Sequence, residues 1–146
     1  MPPRPGTKRW ILVVLLGVTL LAGTAAGCLG TGSLPAPKGV TAVLVRGEGG
    51  ADDVILVTWK ASKDNRVDGY VIYRAEQGVG AVAQQKSEPV LQAVTFATQY
   101  KDDEIRSSEL YPTVRYFYYI AVITREGKVG PMSDEVSVEY TAGTPS

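Results

Sequence analysis

Residues 57–74 read VTWKASKDNRVDGYVIYR, two apolar runs on either side of a polar turn, and the organisation of the chain follows from how those runs are patterned. Ile55, Val57 and Trp59 alternate before the turn, and Tyr70 and Ile72 alternate after it. Between them, Ser62 to Gly69 supplies the Asp, Asn and Gly that turns use. A period of two puts successive apolar side chains on one face of an extended strand, whereas a helix would need a period near 3.6. The same period recurs outward along the chain. Val40, Ala42 and Leu44 precede the stretch; Tyr116, Tyr118, Ile120 and Val122, then Val136, Val138 and Tyr140, follow it. Breakers fall at Gly47 to Asp53 and at Glu126 to Pro131. Short Val/Ile/Tyr/Trp-rich strands with Gly/Asp/Pro turns and no long helical pattern predict an all-β antiparallel sandwich. Only Ala75 to Ala93 breaks the rhythm, and its Gly78, Gly80 and Ala/Gln run permit a loop, an edge strand or a short helical turn.

Several of these runs carry a family resemblance. Val57-Thr58-Trp59-Lys60 resembles the second strand of a fibronectin type III domain, with Trp59 as its core tryptophan, and Asp68-Gly69-Tyr70-Val71-Ile72-Tyr73-Arg74 is similar to the third. Tyr100-Lys101-Asp102 looks like the fifth strand. Leu110-x-Pro112-x-x-x-Tyr116 resembles the tyrosine corner that leads into the sixth, and Gly130 to Ser133 with Val136 and Val138 fits the seventh. The resemblance implies a seven-stranded immunoglobulin-like sandwich over residues 39–141, with Trp59, Tyr70, Leu110 and Tyr116 in its core. The connection Asp103 to Glu109 is longer than the family pattern, a departure that bears on loop geometry and not on the fold. Physically, Trp59 offers a large apolar face between two sheets, and Tyr116 buries its ring while its hydroxyl bonds backbone upstream.

The 146 residues bound the chain to one domain plus an appendage. Fifteen Lys and Arg cancel fifteen Asp and Glu, and there is no His and a single Cys. Without His the commonest general base, zinc ligand and physiological pH sensor are missing. One Cys makes no intrachain disulfide or thiolate metal cluster. No catalytic centre, metal or cofactor is therefore expected. Asp102-Asp103-Glu104 lacks EF-hand spacing and reads as a solvated turn. Asp64, Asn65 and Asp68 likewise read as turn formers rather than ligands. Ser133 with Lys101 or Lys128 as a Ser-Lys dyad has no supporting pattern, and Gly78-Val79-Gly80 lacks the rest of a nucleotide loop.

The first residues differ sharply from the rest. Met1 to Trp10 carries Arg4, Lys8 and Arg9 without an acid, Ile11 to Ala22 is apolar apart from Thr19, and Gly23 to Gly27 is small. That order is expected of a secretory signal over residues 1–27. The uncharged stretch Trp10 to Leu29 also reaches the roughly 20 residues of a membrane helix, but its Gly, Ala and Thr half favours a cleaved signal over that anchor helix. The sole Cys, Cys28, follows Ala25-Ala26-Gly27, and this resembles the lipobox of bacterial lipoproteins, although Ala25 stands where Leu is usual. The resemblance implies a lipid on Cys28 as membrane anchor; the plain alternative is a free Cys beside an ordinary cleavage site. Residues 28–38, Gly/Ser- then Pro/Ala-rich, read as a flexible tether, and residues 142–146 as a tail. Loss of residues 1–27 removes three cations and no acid, leaving 12 basic against 15 acidic residues. No nucleic-acid partner is expected, because no basic cluster remains.

Strand alternation sends Val71 and Tyr73 outward on one strand and Phe117 and Tyr119 outward on its expected neighbour, giving a candidate binding face. Against it stand two plainer readings: the aromatic pairs only stabilise the sheet, or Ala75 to Ala93 folds over them. The function expected is a non-catalytic, extracytoplasmic, membrane-anchored lipoprotein that binds an envelope protein or glycan. The alternative is a structural accessory or spacer subunit of an envelope complex with no ligand of its own.

Overall fold

The computed structural model describes residues 32–49, 52–82 and 84–143. The stretch read as an export signal, Cys28 and the last three residues lie outside the described residues. Every regular element described is a strand: β1 Lys38–Val45, β2 Val54–Lys60, β3 Val67–Val79, β4 Val90–Thr95, β5 Gln99–Asp102, β6 Thr113–Thr124, β7 Val129–Met132 and β8 Val136–Thr141. All pairings are antiparallel. One sheet has the order β1-β2-β5; the other has the order β4-β3-β6, with both β7 and β8 paired to the far side of β6. The seven expected strands are thus present, the seventh broken in two at Ser133. There the Ser133 hydroxyl accepts from Ile120 N at 3.1 Å and donates to Asp134 O at 2.8 Å, replacing ladder bonds where the strand bends.

The open segment resolves into three parts. β3 runs on to Val79, the described residues of 80–89 form no regular element, and β4 is an edge strand beginning at Val90.

The two sheets bury one core between them. Ile55, Val57 and Trp59 from β2 face Tyr70 and Ile72 from β3 and Tyr116, Tyr118, Ile120 and Val122 from β6. The period of two is therefore the burial pattern itself. Trp59 meets Tyr70 edge-on, centroids 5.3 Å apart. Its indole nitrogen is buried without a hydrogen-bond partner among the described residues.

Leu110 corrects an expectation. It is 73% exposed, and the apolar residue at the corner is instead Ile105, which is buried in the core cluster. The inserted residues 103–109 shift the register of the connection. The Tyr116 hydroxyl accepts from Arg106 N at 2.7 Å and donates to Arg106 O at 2.9 Å, so the corner closes ten residues upstream of the tyrosine. Tyr111 packs against β3 where Gly78 leaves room: a Cβ there would lie 2.5 Å from the Tyr111 ring.

The tether reading also needs correction. Leu34 is buried in the core and Pro37 is buried beside it, so the domain starts by about residue 32. Arg66 holds this segment by donating to Gly32 O at 2.8 Å, and Asp64 in turn grips Arg66 at 2.6 Å. The Arg66 side chain and backbone N–H together hold the Asp64 carboxyl well below its usual range, at about 2. Because the folded value is depressed, the contribution is complete above the unfolded value near 4 and disappears as pH falls toward 2. Wild type and Asp64→Asn are therefore expected to converge in denaturant midpoint between pH 4 and pH 2, and a constant gap across that window would refute the linkage.

Candidate binding face

The face of the larger sheet that points away from the core is set by strand parity. Directly paired residues share a face, so Val94, Val71, Ala121 and Met132 form one row across β4, β3, β6 and β7. Leu91, Tyr73 and Tyr119 form the next row. Gly69, Ile123 and Val129 form a third, and the Phe96 ring leans toward it: a Cβ on Gly69 would lie 3.4 Å from Phe96 Cδ1.

The four residues expected on this face are all there, but not all are exposed. Val71 and Phe117 are buried, while Tyr73 and Tyr119 are half-buried. The reason lies partly in the loop after β3. Lys86 reaches back across the sheet with its ammonium 4.7 Å from the Phe117 centroid and 5.8 Å from that of Tyr119. It donates to Glu135 at 2.7 Å and to the Tyr119 hydroxyl at 3.1 Å, and that hydroxyl also donates to Glu135. Burial first, then the bond to Glu135, raises the Tyr119 hydroxyl above its ordinary value, so it stays a donor. Loop 80–89 thus latches one end of the face, as the plainer reading anticipated.

What is open to solvent is aliphatic apart from Phe96 and lies to either side. Leu91 and Val94 on β4 are more than half exposed, Val129 and Met132 on β7 are each 43% exposed, and Phe96 just past β4 is 79% exposed. Sequence reasoning missed the β4 members because Ala75 to Ala93 showed no clean alternation. A bulge opposite Ile72 and Tyr73 explains this: Gln92 is the extra residue, and it shifts the parity of Leu91 against Val94.

The remaining sequence candidates are engaged in structure. Asp64 accepts from Arg66 N at 3.0 Å, as a turn requires. Ser133 is tied to backbone as described above. Asp102 is not a solvated turn residue but fully buried, gripped through both oxygens by Arg74 at 2.8 and 3.0 Å and by the Tyr118 hydroxyl at 2.7 Å.

Strand order, the edge-on tryptophan between the sheets and a tyrosine hydroxyl closing the corner before β6 define a fibronectin type III-like sandwich module. No protein-family model matches the chain, and no curated protein matches it. Among solved structures, it is similar to one described as a myokine structure, at 17% identity over 73% of this chain and 96% of that one, with a TM-score of 0.48. It is also similar to the fibronectin type-III domain of human fibronectin type III domain containing protein 3, at 15% identity over 77% and 91% of the two chains, with a TM-score of 0.36.

Proposed function

We propose that the chain is a non-catalytic, membrane-anchored extracytoplasmic module that binds an envelope protein through the outer face of its larger sheet. The observation that carries this is the aliphatic border of that face. Leu91, Val94, Val129 and Met132 stand exposed on either side of Tyr73 and Tyr119 on the same sheet face, away from the Lys86 latch. Contiguous exposed apolar surface costs solubility and marks contact sites. A protein partner fits better than a glycan, because sugars stack on flat aromatic faces and the Phe117 ring is buried here under Lys86. Membrane attachment is supported by the basic, apolar and small-residue order of residues 1–27 ahead of Cys28.

The test is affinity capture from envelope extracts with wild type and with Leu91→Asp/Val94→Asp, both exposed enough to tolerate charge. The double variant is expected to fold normally and lose a transient protein partner. Retention of a stable stoichiometric subunit by both forms would favour the accessory role instead. Fractionation and N-terminal mass spectrometry of Cys28→Ser test the anchor. The variant is expected to lose a lipid mass and leave the membrane, and an unmodified N-terminus in wild type would end the lipoprotein reading.

A further inference from the structure

Strand directions place residues 32–38, 60–68, 96–98 and 125–128 at one end of the sandwich, hereafter proximal, because the N-terminal segment joins there. Residues 46–49, 52–53, 80–82, 84–89 and 103–112 lie at the other, distal end. Charge divides between them. The proximal segments hold six cations and three acids, and the distal ones three cations and seven acids. Two of the three proximal acids are already taken: Asp64 is bound to Arg66, and Asp68 lies 3.6 Å from Arg125. Lys38, Lys60, Lys63 and Lys128 make no ion pair among the described residues.

The lysines are also placed against one another. Lys38 and Lys60 are directly paired across β1 and β2, and like charges in that register destabilise a sheet unless an anion sits between them. The Lys60 stem packs over Gly39, next to Lys38 in the chain: a Cβ there would stand 3.0 Å from three of its carbons. Beside them opens a cleft of about 780 Å³ lined by Pro35, Pro37, Lys38, Lys60 and Lys63 among others. Phe96 stands at the same end, in the short β4–β5 connection, 79% exposed. A lysine stem laid along the backbone at the same end as a protruding aromatic ring suits a protein end that rests in a headgroup layer.

We propose that the proximal end of the sandwich docks on an anionic bilayer surface, Lys38, Lys60, Lys63 and Lys128 meeting phosphate headgroups and Phe96 entering the interface. This deepens, and for its biological setting rests on, the membrane-anchored reading. An anchor ahead of residue 32 would hold this end toward the bilayer and leave the acidic end facing away from it. General electrostatic attraction does not suffice, because residues 28–146 carry 12 cations against 15 acids. Only a polarised charge distribution lets such a domain approach an anionic surface.

The experiment uses residues 32–146, which contain every core residue from Leu34 to Tyr140 and so carry the whole fold without any anchor. Cosedimentation is measured with phosphatidylcholine vesicles and with vesicles that also contain phosphatidylglycerol. Binding to the mixed vesicles alone is expected, weakening as salt is raised, and each of Lys38→Gln, Lys60→Gln and Lys63→Gln should lower affinity about fivefold. Phe96→Ser is expected to weaken binding at every salt concentration and to leave the salt slope unchanged. Absence of binding to either vesicle, or binding that ignores both lipid charge and the lysine substitutions, would overturn the proposal. Because the anchor is missing from this fragment, that failure is separate from any result with Cys28→Ser.

Discussion

Asp102→Ala is expected to cost about 3–5 kcal/mol, because it leaves a guanidinium buried between two sheets without its carboxylate. Arg74 projects inward from β3, with its side chain 11% exposed, and Asp102 meets it from β5 with none of its side chain exposed. The pair bridges the two layers. Tyr118 adds its hydroxyl, Glu104 N–H donates to Asp102 Oδ1 at 3.1 Å, and the guanidinium also reaches Glu76 at 2.8 Å and lies 5.3 Å from the Tyr116 ring. Burial first, and then the bond to Asp102, push the Tyr118 hydroxyl far above its ordinary value, so it remains a donor throughout the working pH range. Removing the carboxylate therefore strands the Tyr118 hydroxyl and the Glu104 N–H and leaves the guanidinium only the half-exposed Glu76 as an anionic partner. Desolvation makes the intact cluster a poor source of net stability, and Arg74→Met, Asp102→Leu and Tyr118→Phe combined should recover most of the loss. Chemical denaturation with an unchanged slope is the measurement. A midpoint for Asp102→Ala within about 1 kcal/mol of wild type would show that the cluster reaches water.

That cluster also shows where the sequence was readable. Tyr70 and Ile72 were placed inward by alternation, and Arg74 has the same parity; carrying the pattern one step further would have put a cation in the core and demanded an acid across from it. Asp102 was hidden because a run of three acids reads as solvent-facing when only local composition is weighed. The fold was legible, since period-two burial in β2, β3, β6 and β8 is dictated by the sandwich and leaves its imprint on those strands. The face was legible in position but not in exposure. Parity assigns a side to Val71 and Phe117, yet what covers them comes from Lys86, a contact between residues 31 positions apart in the chain, for which no local pattern exists. Leu110 failed for a related reason: the insertion before it moved the core contact to Ile105, and spacing measured from Tyr116 could not register where the slack was taken up.

Leu34→Ala should destabilise the domain by about 2–5 kcal/mol, the loss typical of truncating a buried leucine whose site cannot fully collapse. Leu34 is 4% exposed, and it fills space left by the missing side chain of Gly130: a Cβ on that glycine would stand 3.0 Å from Leu34 Cβ and 2.7 Å from Val122 Cγ2. Gly130→Ala would accordingly press from the opposite side on the same contact. A composition of Gly, Ser, Pro and Ala around one leucine looks like a tether, because a single apolar residue has no period and extended proline-rich backbone has no strand partner to reveal it. Its role as a plug is visible only once β7 brings Gly130 beneath it and Arg66 clasps the Gly32 carbonyl. A fragment beginning at Lys38 should show the same loss as Leu34→Ala or more, since it also gives up the Arg66 contacts. If that fragment unfolds at the wild-type midpoint, residues 32–37 are a tether after all.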